Sequence, residues 1–137
     1  MNLIYLKLFC LIFLVFAMSC EKENQILEQG KYSGTFKVVY NSDTVKTGAV
    51  TLELNAGMYT CSGNKNKIPA GGSGNYSFEK NKIKFIDVGI WTANFDWGLI
   101  LNGEYNYTFD GKRLKIWSHK NDIGYYEYDL VKTSSMP

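Results

Sequence analysis

Residues 97–109, Trp97-Gly98-Leu99-Ile100-Leu101-Asn102-Gly103-Glu104-Tyr105-Asn106-Tyr107-Thr108-Phe109, decide the fold. Asn-Gly is the strongest short hairpin signal, because both residues accept the positive φ of a type I′ turn. A two-residue turn at Asn102-Gly103 would set Leu101 opposite Glu104, so Leu99 and Leu101 would share a face with Glu104 and Asn106. A continuous strand instead lines up Leu99, Leu101, Tyr105, Tyr107 and Phe109, with Glu104, Asn106 and Thr108 on the other side. The second arrangement is amphipathic throughout. The stretch therefore reads as one long strand near 97–109, with Gly103 at a bend or bulge.

Seven further strands follow from the same alternation on either side. Residues 31–40 place Tyr32, Gly34, Phe36, Val38 and Tyr40 on one face. Residues 46–55 do so with Val50, Leu52 and Leu54, and residues 58–62 with Tyr59 and Cys61. After a polar loop at 63–73, residues 74–79 turn Tyr76 and Phe78 inward, and 82–87 turn Ile83 and Phe85. Residues 113–119 carry Leu114 and Ile116; residues 124–132 carry Tyr126, Tyr128 and Leu130. Ala56-Gly57, Lys80-Asn81, Asp110-Gly111 and Asn121-Asp122 supply the turns. No helix of useful length appears. Eight antiparallel strands with one apolar face each bury it by closing into a barrel or splitting into a sandwich. Closure also removes the sheet edges. The expected fold is all-β, an eight-stranded up-and-down antiparallel barrel, with a β-sandwich as the alternative.

Three stretches stand out within this domain: Gly30-Lys-Tyr-Ser-Gly-Thr-Phe36, Gly72-Ser-Gly-Asn-Tyr-Ser-Phe78, and Trp91-Thr-Ala-Asn-Phe-Asp-Trp-Gly-Leu-Ile-Leu-Asn-Gly-Glu-Tyr105. With them, the chain from Gly30 to Lys132 resembles the small lipocalin-like lipoproteins of Bacteroidetes. The resemblance implies a calycin-type barrel and, by analogy, binding of a small hydrophobic molecule. The chain lacks an evident helix after the barrel, which larger lipocalins have.

The N-terminus reads as an export signal. One positive charge at Lys7 precedes ten apolar residues, 8–17. That run is too short to span a membrane as a helix, which needs about 20 apolar residues. Ala17-Met18-Ser19-Cys20 resembles a bacterial lipoprotein signal, with Cys20 as the acylated residue. More than one acyl chain is needed for stable anchoring, because each buried methylene contributes only about 0.8 kcal/mol. Ordinary secretion with an incidental cysteine is the alternative. Glu21-Lys22-Glu23-Asn24 resembles a surface-export signal of such lipoproteins, or is a solvated tether. The expected organisation is a signal peptide at 1–19, a lipidated tether at 20–29, the barrel at 30–133 and a tail at 134–137. The expected location is the outer membrane, lipid-anchored, with either face open.

Composition narrows the function classes. The chain has 137 residues and a net charge of +2. Removing 1–19 leaves 14 basic and 13 acidic residues with their signs interspersed. Such a balance argues against nucleic acid as a partner. With Cys10 lost and Cys20 acylated, Cys61 has no disulfide partner and is expected to be buried as a small apolar residue. His119 is the only histidine. Beside Asp122 it makes poor metal or catalytic evidence, so no metal, cofactor or enzymatic activity is expected.

The remaining candidates are aromatic. Eleven rings face inward: Tyr32, Phe36, Tyr59, Tyr76, Phe78, Phe85, Tyr105, Tyr107, Phe109, Tyr126 and Tyr128. They read as a filled core or as the lining of a narrow pocket, since eight strands enclose room for side chains or one small ligand. Trp91 and Trp97, with Asn94 and Asp96 between, close one barrel mouth as a plug or offer flat surfaces for a sugar. Tyr59, Trp91, Trp97, Tyr105, Tyr107 and Tyr126 are the ligand-binding candidates. Residues 65–73 read as a surface loop or portal and lack the Gly-Lys-Ser/Thr of a phosphate loop. Asp43-Thr44-Val45 resembles an O-glycosylation motif, with Thr44 as acceptor. The functional expectation is a monomeric, lipid-anchored envelope protein binding a small, partly apolar ligand. The alternative is a filled barrel that recognises a protein or glycan through its loops.

Overall fold

The computed structural model describes residues 26–92, 94–120 and 123–135. Eight strands follow one another: β1 (Gly30–Tyr40), β2 (Val45–Asn55), β3 (Met58–Cys61), β4 (Gly72–Glu79), β5 (Lys82–Asp87), β6 (Gly103–Phe109), β7 (Arg113–Lys120) and β8 (Gly124–Ser134). Each pairs antiparallel with the next, and β8 returns to β1, so the sheet is a closed barrel and not a sandwich. The architecture is compatible with a lipocalin-like fold. Closure brings β1 and β8 unusually close at Gly34, which pairs with Leu130. A Cβ there would stand 2.0 Å from the Asp129 carbonyl oxygen, so only glycine fits.

Period-two alternation turns one face of each strand inward, and that face carries the core. Tyr32, Phe36, Leu52, Leu54, Ile83, Phe85, Leu101, Tyr105, Leu114, Ile116, Tyr126 and Tyr128 are fully buried. Their rings interlock: Phe36 on Tyr128 at 4.7 Å, Tyr59 on Phe85 at 4.8 Å, Phe85 on Tyr105 at 5.9 Å and Tyr105 on Tyr128 at 6.1 Å between centroids. Side chains occupy the middle of the barrel, one of the two outcomes open to eight strands. Phe78 departs from the inward set and is 46% exposed. Tyr76 and Tyr107 are half-buried and pack against the core toward the rim where the β4–β5 turn lies. There Phe78 rests against Tyr76 and Tyr107 at 5.8 and 5.6 Å.

The long strand expected at 97–109 is shorter. Residues Trp97–Leu99 form a 3-10 turn capped by Asp96, and the strand begins only at Gly103. Residues 99–101 pair elsewhere: Ala70 N–H donates to Leu99 O at 2.9 Å, and Leu101 N–H to Gly71 O at 2.9 Å. Gly103 makes the break with a φ of +95°, although a Cβ there would meet nothing within 4 Å. It is the backbone angle, not space, that asks for glycine. Asn102-Gly103 is a bend and not a hairpin, and the strand count stays at eight.

The two barrel ends differ. One carries the tight β2–β3, β4–β5 and β6–β7 turns. The N-terminal segment docks there: Leu27 is buried in the core, Tyr32 Oη donates to Glu28 O at 2.5 Å, and Lys132 pairs with the Glu28 carboxylate. Residues 27 and 28, expected in the tether, thus belong to the barrel. The other end carries the connections at 41–44, 62–71, 88–102 and 121–123.

Candidate functional site

The loop end gathers most of the polar and aromatic side chains that sequence reading singles out. Its centre is Asp96. One carboxylate oxygen accepts from Gly98 N at 2.8 Å and caps the 3-10 turn. The other accepts from Tyr40 Oη at 2.9 Å and Tyr126 Oη at 3.0 Å. Tyr40 ends β1 and Tyr126 lies near the start of β8, so one carboxylate ties the connection to the closing seam of the barrel. Burial, with the hydrogen bond to Asp96 second, pushes the Tyr40 phenol up to about 12. Burial, with the Asp96 charge second, raises Tyr126.

Lys120, at the end of β7, clamps the segment from beside. Its ammonium donates to Gly98 O at 3.3 Å and Asn102 O at 3.1 Å, and lies 5.0 and 5.3 Å from the ring centres of Tyr105 and Tyr126. Carbonyls and aromatic faces favour a cation there. Burial nevertheless lowers Lys120 to about 8, against a smaller opposing pull from Asp96. From below, Tyr59 Oη donates to Leu101 O at 2.5 Å. Leu99, Ile100 and Leu101 are buried. Residues 96–101 therefore plug the mouth.

Outside the plug lies a strip of rings. Trp91 meets Phe95 edge-on at 5.8 Å, and Phe95 stacks on Trp97 at 6.5 Å with 29° between planes. Trp91 is held by its indole N–H, which donates to Asp87 at 2.6 Å. Lys67 reaches over Trp91 and Phe95, 5.9 and 5.8 Å from their centres. Trp97 is 59% exposed, and Val88 and Ile90 nearby in the chain are also exposed.

The six ligand-binding candidates thus separate. Trp91 and Trp97 sit on the outer strip. Tyr126 and Tyr59 hold the plug, and Tyr105 lies beneath it. Tyr107 stands toward the opposite end against Phe78. A cleft of about 420 Å³ also lies beside the β4–β5 turn, lined by Glu79, Lys80, Asn81, Lys82, Glu104 and Asn106 and by none of the six. Inside the barrel, the Tyr128 hydroxyl is buried with no hydrogen-bond partner among the described residues. Sequence reading missed Tyr40 as an Asp96 partner and missed Lys120. Lys67 and Phe95 lie in stretches it marked, the 65–73 loop and residues 91–97, without being joined into one strip there.

The other candidates have plain places. Loop 62–71 is organised around Asn64, whose side-chain oxygen accepts from Asn66 N at 3.0 Å and Ile68 N at 3.1 Å. Cys61 is buried, and burial pushes its thiol up to about 12, far from a reactive thiolate. His119 is exposed on β7 with its ring 5.0 Å from Tyr125. Asp122 and Cys20 lie outside the described residues. Thr44 is exposed in the β1–β2 turn, its hydroxyl 3.2 Å from that of Ser42. No group of three His, Cys, Asp or Glu side chains suited to a metal ion occurs among the described residues. Comparison with protein-family models, with curated proteins and with solved structures finds no match to this chain.

Proposed function

We propose that this protein is a lipid-anchored envelope binding module without enzymatic activity, and that it recognises a glycan through the loop end of a filled barrel. The observation that carries the reading is the strip Trp91–Phe95–Trp97. It is held on a pinned segment, leaves Trp97 59% exposed, and has Lys67 at its edge. Sugars present flat C–H faces ringed by hydroxyls. Rigid indole faces cover the first, and neighbouring polar groups (Asn94, Lys67) answer the second. Asp96 serves differently from the sequence expectation. Both its oxygens are engaged within the protein, so it positions the strip and leaves sugar contact to others. The interlocked interior favours this reading over a ligand held deep in the barrel.

The test is a glycan array probed with the chain from residue 20 onward, followed by titration of any hit under tryptophan fluorescence. Trp97→Ala is expected to weaken binding about tenfold or more, in line with aromatic anchors elsewhere. Tyr107→Ala, toward the far rim, is expected to leave affinity unchanged. Loss of binding in both, or in neither, would overturn the assignment to this strip.

A second reading draws on the unpartnered Tyr128 hydroxyl. It would suit a small partly apolar molecule entering the barrel after the plug lifts, because a buried hydroxyl asks for a partner. A molecule that co-purifies with the protein and is released by Asp96→Ala would favour it.

A further inference from the structure

We propose that the tight-turn end of the barrel is the face that lies on the lipid surface, and that the loop end with its aromatic strip points away from the membrane. This rests on the reading of Cys20 as the lipid anchor.

The argument is one of reach. The chain enters the barrel at the tight-turn end, where Leu27 is buried and Glu28 is bonded to both Tyr32 and Lys132. Seven residue steps separate Cys20 from Leu27. Fully extended, seven steps span about 25 Å. The 11 residues of β1 run about 36 Å along the strand, or about 28 Å along the axis at a tilt of ~40°. The loops add more. A cysteine held at the bilayer therefore does not let the barrel stand with its loop end down on the same bilayer, because the tether is shorter than the barrel and its loops together.

Exposure alone does not choose between the ends, since Ile90 and Trp97 are exposed at one and Met58 and Phe78 at the other. The charge pattern agrees with the tether. The cleft beside the β4–β5 turn sets Lys80 and Lys82 beside Glu79 and Glu104. Interspersed charges of both signs complement a zwitterionic headgroup, which carries a phosphate and an ammonium. Met58 and Phe78 supply the apolar contact, each on the same end as the cleft.

The test uses the full chain expressed and purified as a lipoprotein, then placed in phosphatidylethanolamine–phosphatidylglycerol vesicles containing a headgroup-quencher lipid. Uptake of a labelled fatty acid, lost in Cys20→Ala, reports the anchor separately. Single fluorescent labels are placed through Met58→Cys and Ile90→Cys, with Lys80→Cys and Ser42→Cys as a second pair; native Cys61 is buried and stays unlabelled. Strong quenching at positions 58 and 80 and little at 90 and 42 is expected. An acylated chain whose two ends quench alike, or in the reverse order, overturns the orientation alone. A chain that takes up no acyl label overturns the anchor, and the orientation with it.

Discussion

Tyr128 brings its hydroxyl into a packed interior that offers it no partner, whereas Asp96 receives three donors. The difference sets opposite outcomes for two substitutions. Tyr128→Phe deletes an unsatisfied group and keeps the ring against Phe36, so stability is expected to hold or to rise by up to about 1 kcal/mol. Asp96→Ala strands Tyr40, Tyr126 and Gly98 N, and is expected to cost about 2 kcal/mol. Urea denaturation of both variants checks the pair; a loss of more than about 1 kcal/mol in Tyr128→Phe would show that its hydroxyl is bonded. Alternation alone made the inward positions of Tyr105, Tyr126 and Tyr128 legible. It was silent on Asp96, whose partners stand 56 and 30 residues away, and on Lys120, which binds carbonyls of a segment 18 to 22 residues upstream. Local spacing carries no record of such pairings.

Among the elements, 97–109 shows where pattern reading works and where it stops. Its argument against a hairpin holds, because the apolar face of 105–109 needs to stay in phase with β7: Tyr107 pairs with Ile116 and Phe109 with Leu114. The strand start was missed because residues 99–101 find partners in Ala70 and Gly71, on a distant loop with no strand signal. Strand β5 matches its expected bounds residue for residue, since a two-residue turn on one side and charged alternation within it leave little choice. Gly103 carries the change of direction with positive φ. Gly103→Ala is expected to cost about 1–2 kcal/mol, measured by thermal unfolding, since a side chain is disfavoured there by that amount. Gly57, also at positive φ, makes a control of similar size in an exposed turn. An unchanged midpoint for Gly103→Ala would mean that the bend relaxes without penalty.

At the scale of the whole molecule, burial first and foremost raises eight tyrosines: Tyr32, Tyr40, Tyr59, Tyr76, Tyr105, Tyr125, Tyr126 and Tyr128. Above the ordinary value of 10.0 the unfolded chain gives up these protons while the folded one keeps them, so stability is lost as pH climbs past 10. Lys120 works the other way. Between about 8 and its ordinary 10.5 the unfolded state holds a proton that the folded state has released, so stability rises across that window. The melting temperature is expected to climb from pH 8 toward 10 and then drop steeply, with tyrosinate absorbance appearing together with unfolding. In Lys120→Met the climb is expected to vanish and the drop to remain. A wild-type midpoint that falls steadily from pH 8 would contradict the burial of Lys120.

The seam between β1 and β8 joins residues about a hundred positions apart, as in the pairing of Gly34 with Leu130. Until the last strand arrives, both neighbours of that seam expose unpaired edges, and contacts of such long range close slowly. A chain still lacking its last strand therefore has no finished barrel, only a curled sheet with two open edges. Cutting the chain before Gly124 is expected to yield aggregates and no soluble fragment, as size-exclusion chromatography would show. A soluble, monomeric fragment would mean that seven strands suffice. The order of synthesis thus makes the first strand wait for the last, and the domain exists only once the whole of β8 has been made.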